Sequence, residues 1–149
     1  MFHMVTMDRI DENDRKIIEI LTRNARISLR DIKKKVDLSP SSIRNRMERL
    51  VNLGVIKKYT VDIDHQKLGY GIQVVALITS KPAESDTLCH SLSKYDEISE
   101  VLRTSGPANF ICMVRVRDVN ELAKFITCEL EKLNGVERIE TLFILPQDE

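Results

Sequence analysis

Residues 38–59 read LSPSSIRNRMERLVNLGVIKKY, and the fold turns on them. Ser39 offers a hydroxyl that caps a helix, and Pro40 suits its first position, where the missing N–H costs nothing. Ile43, Met47 and Leu50 recur at three- and four-residue spacing and form an inward stripe. Gly54 ends the helix by taking a left-handed conformation cheaply. Ser41, Ser42, Arg44, Asn45, Glu48 and Arg49 are left facing outward, with Arg46 on the flank. Hydroxyl, amide and guanidinium groups near a helix N-terminus are those that read base edges and grip phosphates in a major groove.

Two shorter patterns precede this helix. The first runs from Asp11 to about Asn24, with Asp11 as cap and Asp14 in the first turn, where the helix dipole favours negative charge. Ile10, Ile17, Ile18 and Leu21 line one side. The second starts at Ser28 and is about two turns long. Asp31 stands three residues on, close to a capping box, and Leu29, Ile32 and Val36 share a face. Three helices with a tight Val36-Asp37-Leu38 corner make a helix-turn-helix. VIKKYTVDID then alternates and reads as a strand of a small wing or as a connecting hinge. A capped amphipathic helix with arginines also describes an ordinary solvated surface helix, and Lys33–Lys35 read equally well as a solvated face. The helix triplet, the corner and the local charge together favour DNA.

That charge is hidden in the average. The 149-residue chain is formally neutral, which by itself argues against a nucleic-acid binder. Residues 1–60, however, carry 14 Lys and Arg against 8 Asp and Glu, net +6, and residues 61–149 carry 9 against 15, net −6. A basic front and an acidic back imply two modules with different partners. Hydrophobic residues at 42% suffice for a buried core. Cys89, Cys112 and Cys128 are odd in number and form no C-x-x-C, so neither a disulfide framework nor a zinc finger is expected, and a reducing cytoplasm is. Cys112 and Cys128 sit in apolar patterns and read as core. No apolar run reaches membrane-spanning length, and the opening MFHMVTMDRI lacks the pattern of a signal peptide.

The second half has another rhythm. YGIQVVALITS (70–80) is a strand, apolar on both faces in its middle. Residues 84–95 form a helix, EISEVLRTS a second strand and NFICMVRV a third, with SGPAN as a tight turn between them. VNELAKFITCELEKL is a helix with Leu122, Phe125, Ile126, Leu130 and Leu133 on its buried side, closed by Asn134-Gly135, and VERIETLFIL is the last strand. The order β-α-β-β-α-β is the split, ferredoxin-like arrangement. Helices cover one face of such a sheet. The other face, still partly apolar, needs a cover, and a second copy of the chain supplies it, so a dimer is expected.

The stretch IDENDRKIIEILTRNARISLRDIKKKVDLSPSSIRNRMERLVNLGVIKKYTVDIDHQKLGY closely resembles the start of the Lrp/AsnC, or feast/famine, transcription regulators. The pattern behind it resembles that family's effector-binding and oligomerisation domain, so the likeness runs from about Asp8 to Leu145. The resemblance implies an α+β chain: a winged helix-turn-helix domain over 8–60, a linker over 61–70 and a ferredoxin-like domain over 71–149. It implies a sequence-specific regulator of double-stranded DNA. Dimers would assemble into tetramers or octamers, with an amino acid or similar small effector between subunits. The recognition helix would be Ser39–Leu53, with Ser39, Ser41, Ser42, Arg44, Asn45, Arg46 and Arg49 meeting DNA and Gly106, Pro107 and Asn109 meeting the effector.

Two positions depart from that family's pattern. The corner glycine is Asp37 here, a residue that tolerates left-handed geometry better than most. The effector turn, usually Gly-Asp-x-Asp and an aromatic, is Gly106-Pro107-Ala108-Asn109-Phe110. Both carboxylates are gone, and an ammonium group loses its obvious partner, although Asn109 can still accept a hydrogen bond. His3, His65 and His90 are scattered. Cys89 and His90, one residue apart on a helix, diverge by about 100°, poor geometry for one metal. Asp62 and Asp64 flank a strand rather than pair as acids. No catalytic triad, phosphate loop or dinucleotide motif occurs, so neither an enzyme nor a cofactor is expected. The competing class is a ligand-sensing or assembly module with little specific DNA binding.

Overall fold

The computed structural model describes residues 10–145. Residues 8, 9 and 146–149 of the expected domains lie outside it, as does His3. The chain divides into two compact units between Asp62 and Ile63.

In the first unit α1 spans Glu12–Arg23, α2 Leu29–Lys33 and α3 Pro40–Asn52. Each begins where a side-chain oxygen satisfies an orphan N–H: Asp11 accepts from Asp14, Ser28 from Asp31 and Ser39 from Ser42. Ile17, Ile32 and Ile43 are fully buried between the helices, joined by Leu21 and Val36. Leu50 is fully buried on α3, and Met47 packs at the edge of the core. Gly54, with φ of +72°, ends α3, while the N–H groups of Val55 and Ile56 return to the Leu50 carbonyl.

Two local expectations change, and one open alternative is decided. The second helix has five residues, not two turns. Asp37 does not adopt left-handed geometry, since among the described residues only glycines have positive φ. Leu38 N–H instead bonds the Val36 carbonyl at 3.0 Å, a three-residue turn centred on Asp37 that needs no positive φ. Of the two forms open to the alternating segment after Gly54, the connecting hinge is the one found: residues 57–64 form no strand, because no described residue offers them a ladder.

The second unit is a four-stranded antiparallel sheet in the order β2-β3-β1-β4. Its strands are β1 Ile72–Ser80, β2 Ile98–Arg103, β3 Phe110–Val116 and β4 Val136–Phe143. α4, Ser85–Leu92, follows β1 through a 3-10 turn, and α5, Val119–Lys124, follows β3. Val74, Ala76 and Ile78 of β1 and Phe110, Cys112, Val114 and Val116 of β3 face the helices and are buried against Leu88, Leu92 and Leu122. Their alternates Val75, Leu77, Ile111 and Met113 lie on the other face, as the period of two requires.

α5 does not continue as one regular helix. It widens into a π turn over Phe125–Glu129 and closes with a 3-10 turn over Leu130–Lys132. Across the widened turn the expected inward side holds: Leu122, Phe125 and Leu130 are buried, and Ile126 and Leu133 pack against them. Cys128, expected in the core from its apolar neighbours, is exposed, whereas Cys112 is buried. Gly135, with φ of +93°, lets the chain enter β4. A side chain there would strain the backbone and sit 2.7 Å from the Glu84 Cβ.

Candidate nucleic-acid interface and effector cleft

At about 100° per residue, the arc of α3 opposite Ile43, Met47 and Leu50 centres on Ser41, Asn45 and Glu48. Arg44 stands on one flank, and Ser42, Arg49 and Arg46 on the other. The surface divides accordingly. Ser41, Ser42, Asn45, Arg46 and Arg49 line one shallow depression. Arg44 borders a separate groove with Glu48, Val51 and Tyr59. Ser39 stays in the cap, 3.1 Å from the Ser41 hydroxyl. Arg44 and Asn45 are exposed, and among the described residues their side chains make no hydrogen bond or ion pair. Glu48 sits at the centre of the arc, where a carboxylate can accept from cytosine N4; it belongs with the candidate DNA-facing residues.

Arg46 and Arg49 are held differently. Asp14, one turn into α1, is fully buried. Its Oδ1 accepts from Arg46 Nη1 at 2.9 Å, and its Oδ2 accepts from Arg49 Nη2 and from the Asp11 N–H at 3.0 Å. Arg46 Nη1 also reaches Asp11 Oδ2 at 2.6 Å. An exposed ion pair contributes at most about 1 kcal/mol, whereas stranding a buried carboxylate costs about 3–5 kcal/mol. Pairing with Asp14 is thus the larger energetic role of both arginines in the unliganded chain. The guanidinium of Arg46, followed by the Asp14 N–H, holds the Asp11 carboxyl below its ordinary range, and the two aspartates raise Arg46 in return.

In the sheet unit the expected turn closes the β2–β3 hairpin through Thr104 N–H to the Asn109 carbonyl at 2.9 Å. Asn109 is already engaged. Its Oδ1 accepts from Ser80 N–H at 2.8 Å, where a register shift frees that donor, and its own N–H bonds Ile78. Gly106 and Pro107 do line a cleft of about 230 Å³, together with Leu77 and Ile111 of the outer sheet face. That is below the ~300–1,000 Å³ of drug-sized sites and suits one small metabolite. Asn109 does not line it.

Arg138 and Glu140 do. They lie opposite Thr79 and Leu77 in the β1–β4 register and form an ion pair. Sequence reasoning missed both, since each lies about thirty residues from the turn. The alternation of β4 put them on the outer face and was the signal available.

Burial, with the charge of Cys89 second, pushes the Cys112 thiol up to about 12, so it stays a thiol and a poor metal ligand. Among the described residues no group of three His, Cys, Asp or Glu could hold a metal ion. No described helix is long and apolar enough to cross a membrane.

Comparison with known proteins agrees with this division. Residues 10–57 match a winged helix-turn-helix DNA-binding model, and residues 73–147 match the Lrp/AsnC ligand binding domain. The HTH-type transcriptional regulator FL11 of Pyrococcus furiosus is 36% identical over 91% of this chain and 89% of its own. The structure of AsnC from E. coli superposes with a TM-score of 0.83 at 27% identity, covering 93% of each chain. A transcriptional regulator of Neisseria meningitidis, solved as an L-Met complex, shares the fold with a TM-score of 0.86 at 22% identity, covering 94% of this chain and 92% of its own. A three-helix unit with a capped, outward third helix, joined to a split β-α-β sheet, is thus matched along nearly its whole length, and the chain belongs to the Lrp/AsnC family of DNA-binding transcriptional regulators.

Proposed function

We propose that the chain is a sequence-specific regulator that reads duplex DNA with the outward arc of α3, as a homodimer responsive to a small zwitterionic effector. One observation carries the DNA reading: Arg44 and Asn45 stand exposed and unpartnered among the described residues, in the first half of a capped helix. Asn pairs bidentately with adenine, and Arg with guanine or phosphate. Ser41 and Ser42 suit phosphate or base contacts; Ser39 acts through the cap. Arg46 and Arg49 face the duplex from the α1 side. Residues 61–70 link the two modules, the working compartment is the cytoplasm, and the role requires no catalysis.

The outer sheet face supports the dimer. Val75, Leu77, Ile111, Met113, Leu102 and Leu142 share it by register, and Leu102 and Leu142 are about half exposed. A second copy covers this apolar surface and closes the cleft. Further assembly into tetramers or octamers builds on that dimer. The effector reading follows from the rim chemistry. Glu140 offers a carboxylate to an ammonium group and Arg138 a fork to a carboxylate, replacing the acids missing from the Gly106–Asn109 turn. The L-Met bound by the Neisseria protein is a ligand of this type.

Selection from a random duplex pool tests the DNA reading. It should enrich a two-fold symmetric site with half-sites ~10–10.5 bp apart or a multiple of that. Calorimetry across the amino acids tests the effector reading: one should release heat that Glu140→Gln abolishes. Ligand heat without any enriched duplex would instead favour the ligand-sensing assembly module.

A further inference from the structure

We propose that Asp14, with Asp11, is a positioning element for DNA recognition, neutralising Arg46 and Arg49 so that α3 meets DNA with little free charge. This rests on the reading that the outward arc of α3 faces the duplex.

Non-specific affinity for DNA comes almost entirely from cations neutralising phosphates, and each such contact steepens the salt dependence by about 0.9. Three arginines on one helix would grip any sequence. Two are balanced here within their own unit. Arg46 and Arg49 carry two positive charges, and Asp11 and Asp14 carry two negative ones within hydrogen-bond reach. Asp14 is fully buried, so water does not weaken that attraction as it would at a surface pair. The single Arg46 Nη1 bridges both carboxylates, and its side chain is 24% exposed. Arg49 gives Nη2 to Asp14 and remains 45% exposed, so its other N–H groups are presented in one orientation. Arg44, across the arc, is the unbalanced cation of the three.

The cluster also fixes geometry. The two carboxylates are the two halves of the α1 capping box, with Asp14 N–H to Asp11 Oδ1 at 2.9 Å and Asp11 N–H to Asp14 Oδ2 at 3.0 Å. The start of α1 and the flank of α3 are therefore tied by the same four oxygens. Wherever α1 sits, α3 presents Ser41 and Asn45 at one fixed angle. Discrimination then rests on groups that read bases, and indiscriminate phosphate attraction is held down.

The test measures binding of the duplex selected by the unmodified chain, and of an unrelated duplex, across a salt series. Asp14→Asn should steepen the salt dependence toward the ~0.9 of one added phosphate contact. It should also reduce the ratio of selected to unrelated affinity about tenfold. Asp11→Asn keeps the helix cap, because Asn caps as well as Asp, and should move both quantities the same way. It serves if Asp14→Asn fails to fold. Glu19→Gln deletes the same charge from the exposed Glu19–Arg23 pair and should leave both near the unmodified values. The inference is overturned if Asp11→Asn and any folded Asp14→Asn keep the original ratio and slope, or if Glu19→Gln shifts them equally. Failure of the unmodified chain to select any duplex would instead overturn the DNA reading on which it stands.

Discussion

Asp11 caps α1 and also accepts from Arg46, and its acid–base behaviour follows from both contacts. The Arg46 hydrogen bond first, and the Asp14 N–H second, hold its carboxyl below the ordinary 3.8. Asp31 is lowered too, by Lys34 and then by Ser28. A carboxyl whose folded value lies below its unfolded one binds fewer protons folded. Its stabilisation is present above about pH 3.8 and is lost as pH falls through the folded value. The difference in urea midpoint between the unmodified chain and Asp11→Asn should therefore shrink as pH falls from 5 to 3, and a constant difference would contradict the pairing. At this scale sequence was a partial guide. The cap at Asp11 and the first-turn placement of Asp14 are local and could be read. The burial of Asp14 depends on arginines 32 and 35 residues away, which no window along the chain contains.

Elements with caps and a clear period were the most legible. α1, α3 and the four strands fall within a residue or two of their expected limits because their signals are local. Ser39→Ala should cost about 1 kcal/mol and lower the melting temperature of the helical unit by ~4–8 °C, measured by calorimetry. Ser39→Asn should restore most of that. The last helix was legible in extent and in its inward face: Leu122, Phe125 and Leu130 are buried, with Ile126 and Leu133 packed against that core. Cys128 was assigned to the core from its apolar neighbours alone, although at about 100° per residue it stands well off the line of Leu122, Ile126 and Leu133. The buried Leu130 and the exposed Cys128 predict that Leu130→Ala costs ~2–5 kcal/mol and Cys128→Ala less than ~0.5 kcal/mol in urea unfolding. Equal costs would contradict that difference in burial. For VIKKYTVDID the hinge, not the wing strand, is the alternative that stands: alternation marks a strand's chemistry, but a ladder needs a second strand.

For the whole molecule, the opposite charges of the two halves were visible in composition, as was the β-α-β-β-α-β order that fixes the sheet's neighbours. The cleft was half visible. Gly106 and Pro107 line it, Asn109 is spent on the end of β1, and Arg138 and Glu140 arrive only through the β1–β4 pairing. On the outer face, Ile111→Glu should leave the circular dichroism of the fold intact and yield a monomer in sedimentation equilibrium. A persistent dimer would show that another surface joins the copies. The central claim is that the outward arc of α3 reads the duplex, and footprinting of the selected site tests it most directly. Arg44→Ala with Asn45→Ala should keep the folded dimer yet weaken protection at least tenfold, since each well-made base contact contributes ~1–3 kcal/mol. Protection of the same site at the same protein concentration by that double variant would contradict the account.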